Sequence, residues 1–254
     1  MKISRLFSET VPVEQLSMTE KDAMYALLAE NYENVNRPCF EADLFEKDCA
    51  ILLRDAQDHA VRGFSTQKVM RFQVDGQTMR AVFSGDTIIA RSHWGEQELG
   101  RAWGHFVSDL RAEEPEVPLY WFLISKGYRT YLFLPLFFRQ FFPRYDEVTP
   151  ARQQKILDAL AGIRYPDYYV RESGLIVFPE SHGNLIPELA EIAPHRLRNP
   201  HVQFFLSRNP RFAEGHELAC LAEISAENMR GYGARILSEN ASKALPSEPS
   251  TLYA

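Results

Sequence analysis

Arg91-Ser92-His93-Trp94-Gly95-Glu96-Gln97-Glu98-Leu99-Gly100-Arg101-Ala102 joins an extended run that ends at Ile89-Ala90 to a helix. From Gly95 the apolar residues Leu99, Trp103, Phe106, Val107 and Leu110 fall three or four apart, until Glu113-Glu114-Pro115 ends the pattern. Gln97-x-x-Gly100-x-Ala102 therefore stands at a helix entry. Small residues there let a ligand approach the backbone. Open amide donors at a helix N-terminus, with the macrodipole, hold a phosphate without needing net positive charge. Gly or Ala at this spacing also serves plain helix packing, and that reading stays open.

Upstream the chain alternates between helical and extended signals. Ser17-Met18-Thr19-Glu20 is a capping box, and Met24, Leu27, Leu28 and Tyr32 share one face beyond it, which predicts a helix from about Thr19 to Asn31. A short helix follows Arg37-Pro38. Cys49 to Arg54, Val61 to Val74 and Thr78 to Ile89 read as three sequential strands of an antiparallel meander, with Asp75-Gly76 as the tight turn of the second hairpin. Gly63 and Gly85 lie inside strands and predict bulges or close backbone approaches; Gly85 has a carboxylate, Asp86, beside it.

Downstream, Leu119 to Ser125 is wholly apolar and of strand length, as a strand covered on both faces requires. Tyr128 to Phe142 predicts a buried helix kinked at Pro135. Thr149-Pro150 opens another helix, through Leu160, and Tyr168 to Phe178 predicts one or two closing strands. Beyond Pro179 prolines cut the chain into short pieces, until a helical stretch is predicted from Gly215 to about Ile236. These boundaries give a core over 1–178, a C-terminal extension packed on it over 179–240, and a disordered tail over 241–254.

Composition narrows the functions. The 254 residues carry a formal net charge of −6, so the broad cationic surface of a nonspecific nucleic-acid binder is lacking. Cys39, Cys49 and Cys220 have no C-x-x-C spacing, and neither a disulfide framework nor a metal site is expected. The N-terminus has no apolar stretch of signal-peptide length, and Leu119 to Phe142 is broken by Lys126, Arg129 and Arg139, so a cytoplasmic location without a membrane span is expected.

Two helices, an antiparallel meander, a helix opened by Q-x-x-G-x-A, a central strand, an aromatic helix and closing strands resemble the GNAT (Gcn5-related N-acetyltransferase) superfamily, over about Ser17 to Phe178. The resemblance implies an α/β (α+β) fold with a mixed, mostly antiparallel central sheet flanked by helices, here with a helical and irregular C-terminal extension. It implies acyl-CoA or acetyl-CoA as co-substrate, its diphosphate cradled by Gln97, Gly100, Arg101 and Ala102 and its pantetheine arm between two splayed central strands. It also implies direct transfer to an amine of a small-molecule acceptor. Tyr131 and Tyr128 are the candidates for protonating the leaving thiolate, and Asp86 for the base. The plainer readings are buried aromatics and a surface Asp at a bulge. Glu96, Glu98 and the bulky Trp94 depart from the family pattern.

The ten aromatic residues between Tyr120 and Phe142 suit an acyl group longer than acetyl, or a tightly packed core. Arg129 and Arg139 suit an acyl carrier protein as alternative donor, or solvated helix ends. The competing class is a noncatalytic module of the same fold that binds a hydrophobic ligand or a carrier protein. Other motifs are incomplete. His105-x-x-x-Asp109 is half of an acyltransferase signature and also a simple helical i,i+4 pair. His216-Glu217 lacks the second His of a zinc-protease motif, and Gly63-x-Ser65-x-Gln67 lacks the closing Gly of a nucleophile elbow. His182, His195 and His201 are scattered among prolines as possible bases from the extension.

Overall fold

The computed structural model describes residues 5–178 and 183–244, with side chains described as far as residue 239. The chain opens with β1 (Leu6–Pro12), whose alternating Ser8, Glu9 and Thr10 gave no apolar signal because it is an edge strand with only Leu6 buried. Helix α1 (Met18–Asn31) starts at the predicted capping box: the Ser17 hydroxyl accepts from the Glu20 amide at 3.3 Å, and the Glu20 carboxylate accepts from the Ser17 amide at 2.7 Å. A two-residue strand, β2 (Tyr32–Glu33), follows. The Asn36 side chain then caps α2 (Arg37–Phe45), accepting from the Cys39 amide at 2.9 Å.

The meander is β3 (Cys49–Asp55), β4 (Val61–Val74) and β5 (Gln77–Ile89). Asp75 and Gly76 turn between the last two with φ of 50° and 78°, the left-handed pair that a two-residue hairpin needs. Helix α3 (Glu98–Glu113) begins three residues later than the periodicity suggests, because Gly95 takes φ of 95° and breaks the run ahead of it. Then comes β6 (Leu119–Ser125), which alternates Leu119, Trp121 and Leu123 to one face and Tyr120 and Phe122 to the other, all of them buried.

The predicted kinked helix over 128–142 is corrected to α4 (Tyr128–Tyr131) and α5 (Phe133–Phe137), with Phe138 to Phe142 in extended bridges to Met229 and Leu221. Pro135 has no N–H for the carbonyl of Tyr131, so the turn cannot continue through Leu132. Helix α6 (Ala151–Arg164) and the short strands β7 (Tyr169–Val170) and β8 (Leu175–Ile176) come next. They lead to β9 (Asn184–Leu185), α7 (Pro187–Ala190) and α8 (Pro200–Arg208).

Residues 217–223 differ most from expectation. Instead of helix in an extension packed on the core, Glu217–Glu223 is β10, inserted between β6 and β8. A short apolar run covered on both faces reads equally as helix or strand, and the open edge of β6 decides the matter. Helix α9 (Gly231–Ala244) takes in 241–244, which the sequence assigns to the tail; the rest of that tail, 245–254, lies outside the described residues.

The main sheet runs β1-β3-β4-β5-β6-β10-β8-β7, antiparallel except for β5 beside β6. One face packs against α3, α8 and α9 through Trp103, Val107, Val202, Phe205 and Leu237. The other face packs against α6 through Ile156, Leu157 and Leu160, and α1 and α2 cover its β3–β4 end. No helix among the described residues is long and apolar enough to cross a membrane.

Candidate active site

Strands β5 and β6 pair in parallel from Arg80↔Leu119 to Ser84↔Leu123 and then part. Beyond Ser84, β5 stays with β4 (Ser65↔Thr87, Phe64↔Ile88), while the end of β6 stays with β10 (Ile124↔Ala219, Ser125↔Leu218). The edge of β5 that faced β6 then has no strand partner. A cleft of about 1450 Å³ opens at this gap. One end is walled by α3, α5 and the start of α9, the other by the α1–α2 region, the end of α6 and Phe178.

At the point of divergence β5 carries a bulge. Gly85 and Asp86 together stand opposite Thr66, between the pairs Gln67↔Ser84 and Ser65↔Thr87. Glycine is required here, because a Cβ on residue 85 would lie 2.5 Å from Thr66 Oγ1 and 2.8 Å from Lys47 Cε. A run of side-chain hydrogen bonds holds the bulge from beneath. Trp121 Nε1 donates to Ser84 Oγ at 2.9 Å, Ser84 Oγ to Gln67 Oε1 at 2.8 Å, and Gln67 Nε2 to Ser65 Oγ at 2.7 Å. Ser65 and Thr87 then share a hydrogen at 2.7 Å. Ser65 and Gln67 thus belong to a buried positioning network and not to a nucleophile elbow.

Asp86 lines the cleft and, among the described residues, has no hydrogen bond or ion pair. It is half-buried on the wall of the cleft. Burial, together with the charge of Asp43, pushes its carboxyl up to about 6, against the opposing pull of Lys47 and Lys126; Glu217 adds to the rise. The other charges at this end are paired. Lys47 bonds Asp43 at 2.6 Å, Arg164 bonds Asp43 at 3.0 Å and Glu46 at 2.5 Å, and Lys126 meets Glu217 at 3.4 Å. Burial lowers the Lys47 ammonium even so. Three cations also lie on aromatic faces: Lys126 over Tyr32 at 5.3 Å, Lys47 over Phe83 at 5.5 Å, and Arg164 over Tyr165 at 5.1 Å. The hydroxyls of Tyr32 and Tyr165 have no hydrogen-bond partner among the described residues, and burial raises both phenols, with Asp86 and Glu217 adding to the effect.

At the other end, the first turn of α3 is open. Gln97 is the N-cap, no side chain caps it, and the first intrahelical bond runs from the Arg101 amide to the Gln97 carbonyl at 3.0 Å. The amides of Glu98, Leu99 and Gly100 precede that bond. Gln97, Gly100 and Arg101 line the cleft, and a Cβ on residue 100 would meet only the Phe137 ring, at 3.5 Å. An anion can therefore reach the backbone. The Glu98 carboxylate accepts from Ser8 Oγ at 2.7 Å, which ties it to β1. Ala102 does not line the cleft and packs against the core.

The two candidate acids on α4 are elsewhere. The Tyr131 hydroxyl donates to the Pro143 carbonyl at 2.8 Å, inside a ring cluster with Phe141, His201, Phe204 and Phe205. Tyr128 is 3% exposed, under the Arg129 guanidinium, and neither tyrosine lines the cleft. The break after α4 turns both rings into the core. His105 bonds the Tyr232 hydroxyl at 3.0 Å on the α3–α9 contact, and His195 and His201 do not line the cleft; His182 lies outside the described residues. Sequence reasoning missed Tyr32, Lys47, Lys126, Arg164, Tyr165 and Glu217. They come from five separate segments, and no local motif joins them. Among the described residues no group of His, Cys, Asp and Glu gathers as a metal ion requires.

No protein-family model and no curated protein matches the sequence. Solved structures similar to it include a probable N-acyltransferase from Enterococcus faecalis V583, at 14% identity and TM-score 0.38 over 51% of this chain and 31% of that one. The GNAT family N-acetyltransferase YhbS of Escherichia coli, solved with CoA, is similar at 16% identity and TM-score 0.34 over 48% and 64%. The glucosamine-6-phosphate N-acetyltransferase of Arabidopsis thaliana is similar at 10% identity and TM-score 0.34 over 47% and 81%. The matched part thus spans less than two thirds of the first two proteins. With two parallel central strands that diverge beside an open helix N-terminus, in a sheet otherwise antiparallel, the chain has a GNAT-like fold.

Proposed function

We propose that the protein transfers an acyl group from a thioester of coenzyme A, or of an acyl carrier protein, directly to an amine of a small molecule. The observation that carries this reading is the gap between β5 and β6, with the uncapped start of α3 at one end and an unpartnered carboxylate, Asp86, at its bulge.

The open amides of α3, with Gln97, Gly100 and Arg101, hold the diphosphate. The pantetheine arm lies in the gap, where the free edge of β5 supplies backbone donors to the thioester carbonyl. Asp86 takes one proton from the incoming ammonium, the freed nitrogen attacks that carbonyl, the C–N bond forms, the C–S bond breaks, and the nitrogen's second proton replaces the one that a phenol gives the thiolate. Both phenols that open on the cleft, Tyr32 and Tyr165, stay protonated at neutral pH, and one of them returns a proton to the thiolate. A cleft of about 1450 Å³ has room for a coenzyme A thioester with its acceptor, and the apolar side chains that line it, Phe133, Leu136 and Phe137 among them, suit an acyl group longer than acetyl.

Thermal unfolding with acetyl-CoA and with longer acyl-CoAs, followed by thiol release on adding amines, tests the reading. A ligand held at 100 times its Kd adds about 2.7 kcal/mol, so the midpoint rises, and more for the longer chains. Thiol release that needs the amine is expected. A midpoint raised without any release would favour the noncatalytic module, and no shift with any thioester, carrier-bound ones included, would contradict both readings.

A further inference from the structure

Four carboxylates, Asp43, Glu46, Asp86 and Glu217, line the α1–α2 end of the cleft, and Arg164 and Lys126 line it with them, while Lys47 is buried just behind. Lys47 and Arg164 are engaged by Asp43 and Glu46, and Lys126 by Glu217, which among the described residues leaves Asp86 as the carboxylate without a cation of its own. Around it stand the rings of Tyr32, Phe83 and Tyr165, with Phe178 edge-on to Tyr165 at 5.8 Å. The other cleft-lining cations do not serve this end. Arg101, Arg230 and Arg235 belong to α3 and the start of α9, and Arg129 is turned onto the Tyr128 ring and the Leu189 carbonyl.

We infer that the acceptor is an organic monocation, an amine that enters as its ammonium, has an apolar and preferably aromatic body, and carries no acidic group. This rests on the acyl-transfer reading and narrows it. An ammonium against Asp86 completes the pairing that the three resident cations leave unfinished, and aromatic faces add to its attraction. A carboxylate or phosphate on the acceptor would meet, among the described residues, one more negative charge than positive, with Lys47, Lys126 and Arg164 already held. A polar body such as a sugar would exchange water for ring faces that offer it no hydrogen bonds.

Titration calorimetry of the full chain without donor, using 2-phenylethylamine, phenylalanine, 3-phenylpropionate and glucosamine, tests the assignment. The amine is expected to bind at least tenfold more tightly than phenylalanine or glucosamine, with no measurable binding of the propionate. Asp86→Asn, with an unchanged circular-dichroism spectrum, is expected to weaken the amine at least tenfold. Equal or tighter binding of phenylalanine, glucosamine or the propionate would overturn the inference, as would an Asp86→Asn protein that holds the amine unchanged. The donor is followed separately by its effect on the unfolding midpoint. If acyl-CoA binds and the amine does not, this inference fails alone; if the amine binds and no thioester does, the transfer reading fails.

Discussion

The bulge at Gly85-Asp86 sets the Asp86 side chain on the wall of the cleft. Burial, with the charges of Asp43 and Glu217 beside it, pushes its carboxyl up to about 6 from an ordinary 3.8, against the opposing pull of Lys47 and Lys126. Since the folded state binds the proton more tightly, stability falls as pH rises from about 4 to about 6, and the loss persists above that range. Asp86→Asn is expected to raise the unfolding midpoint at pH 7.5 by a few degrees, with the gain fading toward pH 4. With Asp86 as the proposed base, the same substitution is expected to drop kcat/KM about 10²–10⁴-fold and to remove the acidic limb near pH 6 from the rate profile. A variant of normal activity at pH 7.5 would contradict the role. Gly85→Ala forces a Cβ against Thr66 Oγ1 and Lys47 Cε and is expected to destabilise by about 1–3 kcal/mol in urea unfolding. The Gly85-Asp86 pair was legible in the sequence, as a strand glycine beside a carboxylate. The charges that tune Asp86 were not, because proximity in the fold gathers Lys47, Lys126 and Glu217 from segments with no common pattern.

At the scale of elements, the open start of α3 makes two expectations of opposite sign. Gly100→Asp places a carboxylate in the first turn, where the helix dipole favours it by about 0.3–1 kcal/mol and where only Phe137 is near. Stability is therefore unchanged or slightly raised, while coenzyme A affinity falls at least tenfold, because the new charge faces a diphosphate. Melting and calorimetry on one preparation check both, and undiminished affinity would remove α3 from the donor site. The helix-entry motif was legible; Gly95, whose φ of 95° delays the helix start, and Ala102, which faces the core, were misplaced by a periodicity that cannot register backbone handedness. The aromatic run after β6 misled for a similar reason. Its composition suits a buried helix, but Pro135 breaks it, and the break buries Tyr131 away from the cleft.

For the whole molecule, β10 is the strand that ties β8 and β7 to the rest of the sheet. Leu218, Ala219 and Cys220 are 0% exposed between β6 and β8, so residues 1–178 alone would bare the edge of β6 and leave β7 and β8 without their neighbour. That fragment is expected to show no cooperative unfolding transition by circular dichroism; a sharp transition would mean that the first 178 residues fold alone. The meander, α1 and α3 were readable because each carries its own period, with a turn pair in the meander and a capping box at α1. β10 was not, because a fully covered strand has no alternation to read, and only the order of the sheet identifies it. The gap between β5 and β6 and the start of α3 are proposed to hold one coenzyme A thioester together. Amide chemical shifts followed while coenzyme A is titrated into the ¹⁵N-labelled protein test it most directly. Glu98, Leu99 and Gly100 together with Gly85, Asp86 and Thr87 should move in a single saturable process, whereas a titration that leaves these amides still, or moves only residues outside the cleft, would contradict the account.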